Sequence, residues 1–190
     1  LSIASLSANP SPPASARAHD RAGRIPFLAL MPTYGGTLAA VRALGARGIP
    51  VTVAGQGWLA PARWSRYATR WLSCPAVSDK ERLLEWLLAF GRQEQRHVLY
   101  APSDDLAFLF SAHLPELEKH FYLYQPSITT MVDVLDKRRL LEACRSVGVE
   151  GVPTWFPDNE ADVARIGREA TFPLLLKVRT QVRQVQQNKG

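Results

Sequence analysis

From Ile25 to Met31 the chain is almost continuously apolar, the pattern of a strand covered on both faces. Thr33-Tyr34-Gly35-Gly36-Thr37 interrupts it as a turn. Leu38, Val41 and Leu44 then recur near helical spacing through Arg47, where Gly48 suits a C-terminal cap. Ile49 to Ala54 supplies a second strand. Strand, helix and strand in this order predict a βαβ unit with parallel strands and a right-handed crossover.

Gly55 to Pro75 carries Trp58, Trp64, Tyr67 and Trp71 among arginines and reads as loop plus a short helix. Such a mixture can stack on nucleic-acid bases, although packing against a sheet is its commoner use. Asp79 to Gln93 is apolar over most of a helical circumference, and His97 to Ala101 forms a third strand. Ser103-Asp104-Asp105 caps a helix whose Leu106, Leu109, Phe110 and His113 share one face, which makes His113 a core or boundary residue. Phe121 to Tyr124 is a short fourth strand. Ile128, Met131, Val132 and Leu135 then mark a helix, and Asp136 caps another from Lys137 to Val147, ended by Gly148. Val152 to Phe156 reads as a strand, Asn159 to Ala170 as a helix, and Phe172 to Thr180 as a strand burying Leu174 to Leu176. The alternation predicts the α/β class. Three regions follow: a Pro/Ser/Ala-rich tail over 1–24 expected to stay disordered, an α/β domain over 25–126, and a second unit over 127–190.

A chain of 190 residues, 46% hydrophobic and 21% charged, suits one good core and part of a second. No apolar run approaches the roughly 20 residues that span a bilayer, and the start at Leu1 lacks the apolar core of a secretory signal, so a cytoplasmic protein is expected. That start also suggests a longer product. Cys74 and Cys144 follow no metal or redox spacing and are expected as reduced thiols. The formal charge is +6, and Lys177 to Gly190 holds four cations and no acid. This places much of the excess in the tail, where it suits a polyphosphate ligand at least as well as nucleic acid. A nucleic-acid binder would more often show a basic face with interleaved aromatics.

Candidate chemistry is sparse. Gly35-Gly36 follows a strand but lacks the G-x-G-x-x-G spacing of a dinucleotide turn. A turn that needs small residues explains it most simply, and a phosphate or carboxylate at the helix N-terminus is the functional alternative. Ser103 and Asp104 follow a strand, at the sheet edge where open α/β folds bind ligands. Capping is the stronger explanation for them. Lys137 opens a helix, where a cation opposes the macrodipole unless an anion is near. Lys177 ends an apolar run, and Lys189-Gly190 closes a polar segment.

In their order, Asp136-Lys137-Arg138-Arg139-Leu140, Gly148-Val149-x-x-Val152-Pro153-Thr154 and Phe172-Pro173-Leu174-Leu175-Leu176-Lys177 resemble the ATP-grasp superfamily. Gly35 to Val51, Ser65-Arg66-Tyr67 and Cys74-Pro75 resemble the pre-ATP-grasp domain of its carboxylate–amine ligases. The resemblance spans Ile25 to Gly190. It implies a Rossmann-like parallel sheet, then the beginning of an ATP-grasp α+β subdomain. It also implies an enzyme that activates a small-molecule carboxylate as an acylphosphate for attack by an amine or similar nucleophile. Lys137 and Lys177 match phosphate-contacting lysines, and Lys189-Gly190 falls where a mobile loop covers the ATP phosphates. Gly35, Gly36, Ser103 and Asp104 are the candidate substrate contacts. The adenine hinge and the Mg2+ ligands are expected beyond residue 190, so this chain alone is expected to be inactive. Two departures stand out: Val178 replaces a common proline, and Gln181 to Asn188 has no glycine. Two other readings stay open: a non-catalytic ligand- or partner-binding α/β module, and a nucleic-acid binder using the basic C-terminal tail.

Overall fold

The computed structural model describes residues 23–180 and 182, so the expectations for residues 1–22, Lys189 and Gly190 lie outside the described residues. Those described form an α/β protein with a five-stranded, all-parallel sheet. Its strands are β1 (Phe27–Ala29), β2 (Val51–Gly55), β3 (Arg70–Ser73), β4 (His97–Tyr100) and β5 (Phe121–Tyr122). The helices are α1 (Gly35–Ala46), α2 (Lys80–Gln93), α3 (Asp104–Ala112), α4 (Leu114–Leu117), α5 (Ile128–Leu135), α6 (Lys137–Ser146) and α7 (Glu160–Glu169). The chain divides into two compact units: Leu1–Pro102 with Leu117–Leu123, and Ser103–Glu116 with Tyr124–Gly190.

The first unit holds the whole sheet, in the order β3-β2-β1-β4-β5. Winding runs outward from β1 to β3 and then returns across β1 to β4, which is the Rossmann-like arrangement and creates a switch point between β1 and β4. With right-handed crossovers this reversal places α1 and α2 on opposite faces. Side-chain parity agrees. Phe27, Ala29, Val51 and Val53 form one cluster with Val41 of α1. On the opposite parity, His97 of β4 meets Phe90 of α2 edge-on at 5.0 Å. Gly45 permits close packing on α1, because a Cβ there would lie 2.6 Å from Tyr67 Cβ and 2.8 Å from its carbonyl oxygen.

His97 is buried, with Nδ1–H donating to the Gln95 carbonyl at 2.6 Å. Its Nε2 is therefore left to accept the Thr52 hydroxyl at 3.4 Å. Burial lowers its pKa, more than the Gln95 bond and the charge of Glu94 raise it, with Arg70 adding to the lowering. Below the unfolded value of about 6.5, the unfolded chain takes up this proton more readily than the folded one, so stability falls with acidification. Urea midpoints are expected to drop between about pH 7 and 5, with a shallower drop in His97→Gln. Parallel slopes for the two proteins would remove His97 as the cause.

Three sequence expectations need correction here. Gly55 to Pro75 contains turns and the edge strand β3, with no helix. That strand is four residues long and half-exposed, too short and too polar on its open side to show strand periodicity. Val152 to Phe156 and Phe172 to Thr180 are not strands, and Leu174, Leu175 and Leu176 are exposed, the last at 96%. An apolar run becomes a strand only when a neighbour accepts its ladder, and no described strand flanks either segment.

The second unit is built on α3, α5 and α6, with Phe108, Met131 and Val182 as its small core. Asp136 ends α5 and caps α6 together, accepting from the amides of Arg138 at 2.9 Å and Arg139 at 3.3 Å. Gly48 and Gly148, at φ 79° and 76°, follow α1 and α6 as the chain pattern anticipates.

Candidate functional site

The N-terminus of α1 lies beyond the carboxyl end of β1, beside the switch point. Its N-cap, Tyr34, offers no side-chain hydrogen bond, and its first turn has no acid. The turn is fixed from below: Tyr34 N–H donates to Met31 carbonyl at 2.9 Å, and the buried Thr37 hydroxyl donates to Leu30 carbonyl at 2.9 Å. Met31 adopts φ 54°, which is uncommon for a non-glycine residue.

Gly35 and Gly36 open the helix, both exposed. Neither has a positive φ. A Cβ on Gly35 would meet nothing within 4 Å, and one on Gly36 only Tyr34 Cδ1 at 3.9 Å. The turn therefore requires glycine at neither position, for its backbone or for the space a Cβ would fill. What the glycines do leave open is approach to the first helical amides, which carry partial positive charge.

Ser103 accepts from Leu106 N–H at 3.4 Å, so its hydroxyl serves as the cap of α3, with exposed Asp104 in the first turn. These two residues belong to the second unit, whereas Gly35 and Gly36 belong to the first. His113 follows α3 as a boundary residue, 3.7 Å from Glu116.

Around Lys137 the second unit concentrates charge. Asp136, 5% exposed, is gripped by Arg179: Nε lies 2.9 and 2.7 Å from the two carboxylate oxygens, and Nη2 lies 2.7 Å from Oδ2. Burial would raise the Asp136 pKa, but the Arg179 bond, the Arg138 and Arg139 amides and the Arg179 charge together hold it below the ordinary carboxylate value. Lys137 N–H and Nζ both donate to the Arg179 carbonyl, at 3.2 and 3.3 Å. Arg138 reaches Phe156 carbonyl at 2.9 Å and Asp158 at 3.0 Å. The amides that open α6 are thus already satisfied by a carboxylate, and a phosphate near Lys137 would be met by ammonium alone. Lys177 is exposed, and no described contact joins it to Lys137. Cys74 is buried and its thiol is pushed up to about 11 by desolvation, which makes it an inert core residue at neutral pH.

A concavity of about 490 Å³ lies at the opposite, N-terminal edge of the sheet, lined by Arg24, Pro50, Arg96 and Tyr122 among others. Arg96 is occupied structurally, stacked 4.3 Å over Tyr122 and donating to the carbonyls of Phe121 and Glu118. We therefore place the candidate site at α1.

One feature of this unit escaped the sequence reading. Between Asp20 and Asp79 the chain has seven arginines, no lysine and no acid, a net +7 against +6 for the whole chain. The basic excess accordingly resides as much in the folded sheet unit as in the tail. Counting acids by segment would have revealed it.

No protein-family model matches the chain, and no curated protein matches it.

Proposed function

We propose that the protein works in an ATP-dependent carboxylate–amine ligase of the ATP-grasp type, forming an acylphosphate that an amine or similar nucleophile attacks. The observation that carries this reading is the open N-terminus of α1, where two glycines that the turn does not require leave helix amides bare beside the switch point. An amide-rich, side-chain-free cradle suits a carboxylate or a phosphate. The ordered motifs around Asp136, Val152 and Lys177 supply the ATP part of the reading.

In this mechanism the Gly35 and Gly36 amides hold the substrate carboxylate, and Lys137 and Lys177 meet the ATP phosphates. Cationic groups stabilise the charge spread over the transferring phosphoryl group. Lys137 must exchange its bond to the Arg179 carbonyl for phosphate, a small cost because that bond is long. Among the described residues no three His, Cys, Asp or Glu side chains cluster to hold a metal ion. No step here is assigned to a metal ion.

Calorimetric titration of ATP into the protein tests the reading. Lys177→Ala and Lys137→Ala are each expected to weaken binding roughly tenfold, the loss of one charge-assisted contact. Wild-type affinity in both variants would overturn it. The glycines have their own signature: Gly35→Ala and Gly36→Ala should stabilise the fold slightly, by about 0.5 kcal/mol each, while raising KM for the carboxylate. Activity unchanged in the double variant would remove them from the site.

A further inference from the structure

A second surface of the sheet unit has a distinct chemistry. The segment between β2 and β3 is anchored by buried Ala60 and Ala62, and Ala62 N–H donates to Pro32 carbonyl at 3.0 Å. From this anchor it presents Trp58 and Trp64, which are 64% and 59% exposed. The two indoles are not loose. Trp64 Nε1–H donates to the Trp58 carbonyl at 2.7 Å, and the rings meet edge-to-face at 4.9 Å.

Arg63 ties the group together. Its guanidinium carbon lies 4.7 Å from the Trp71 ring centroid, 5.3 Å from Trp58 and 5.7 Å from Trp64, all within cation–π range. Among the described residues no carboxylate pairs with it. A guanidinium that sits among rings and pairs with no carboxylate keeps N–H donors for an anion. Arg66 stands three residues on, its guanidinium carbon 4.8 Å from the Tyr67 ring centroid and its Nη2 donating to the Tyr67 hydroxyl at 2.8 Å. The stretch around them is free of acid from Arg21 to Ser78, so nothing local repels a polyanion.

Two fixed, water-facing indoles beside an unpaired cation call for a ligand that is both planar and anionic. A carboxylate-rich peptide would satisfy Arg63 and leave the indole faces bare. A duplex would satisfy the cation but keep its bases stacked inside. We infer that the Trp58–Arg63–Trp64 surface binds single-stranded nucleic acid, with bases stacking on the indoles and a phosphate on the N–H donors of Arg63. Each base–aromatic stack is worth a substantial part of such binding and tolerates sequence variation. The site uses none of the groups assigned to the ligase reading, so either can fail alone.

Quenching of tryptophan fluorescence by a 12-nucleotide dT oligomer, at low salt, tests the inference on the whole chain. Binding is expected, weakening with salt, and it should fall about tenfold in Trp58→Ala and in Arg63→Gln. Because Arg63 also packs against Trp71, Arg63→Lys serves as a second variant: it keeps the charge and should retain much of the affinity that Arg63→Gln loses. Circular dichroism checks that each variant is folded. No binding of the oligomer would overturn the inference. So would equal binding of a base-free polyphosphate or of polyglutamate, since the indoles would then contribute nothing. Loss of binding on Lys177→Ala but not on Trp58→Ala would do the same, because it would move the contact to the basic tail.

Discussion

Replacing Asp136 with alanine is expected to destabilise the second unit by about 3 kcal/mol, the largest effect of any single polar substitution we foresee. Two losses combine. A helix cap removed from α6 costs about 1 kcal/mol, and breaking a buried ion pair by deleting one partner costs about 3–5 kcal/mol when the survivor is fully buried. Arg179 is 28% exposed and can be partly rehydrated, which brings the second figure down. Urea unfolding followed by circular dichroism would read the change, and a difference within about 0.5 kcal/mol, the range of ordinary surface substitutions, would refute the account.

The same pair has a pH signature. Because the folded-state pKa of Asp136 is lowered, its contribution is complete above the unfolded value of about 3.9 and is lost as pH falls through the folded one. The gap between wild type and Asp136→Asn should therefore close in acid. His97 behaves with the same sign but over a higher window, so the two groups are separable by the pH at which each slope appears.

Gly45→Ala is expected to destabilise the first unit by about 1–3 kcal/mol, as overpacking does. In an open helix the change would be favourable, since alanine exceeds glycine in helix propensity by about 1 kcal/mol. Here the new methyl would meet the backbone of Tyr67, which is held by its own turn and cannot rotate aside as a long side chain could. The contrast with Gly35 is direct: the same substitution in the same helix should change sign. Chemical denaturation of both variants measures it, and a stabilised Gly45→Ala protein would show that the loop yields at little cost.

Helices were the legible part of this chain. Asp79, Ser103, Ser127, Asp136 and Asn159 each precede an apolar period, and each side chain accepts from an amide of the helix that follows. A cap is a local bond, so a local sequence window contains it. Strands are different. Val152 to Phe156 and Leu174 to Leu176 carry strand-like composition, yet a strand exists only with a partner that no window around it includes. Conversely Arg70–Ser73 looks unremarkable and becomes β3 because β2 stands ready to pair with it. The candidate site was half legible. Gly35-Gly36 is visible in the sequence, but only the empty space around each Cβ shows that folding does not require them. Arg63 could not be singled out from its neighbours until the chain had turned Trp58, Trp64 and Trp71 around it.

The sheet unit is not one continuous piece of chain. It takes residues up to Pro102, yields Ser103–Glu116 to the second unit, and recovers Leu117–Leu123 for β5. Phe121 stacks on Phe90 at 6.2 Å and lies opposite His97, so the late segment completes the face covered by α2. A single cut after Pro102 would leave β4 with an open edge and α2 over an unfilled gap. The sheet is therefore complete only once the chain extends through β5, past the segment it lends to the second unit.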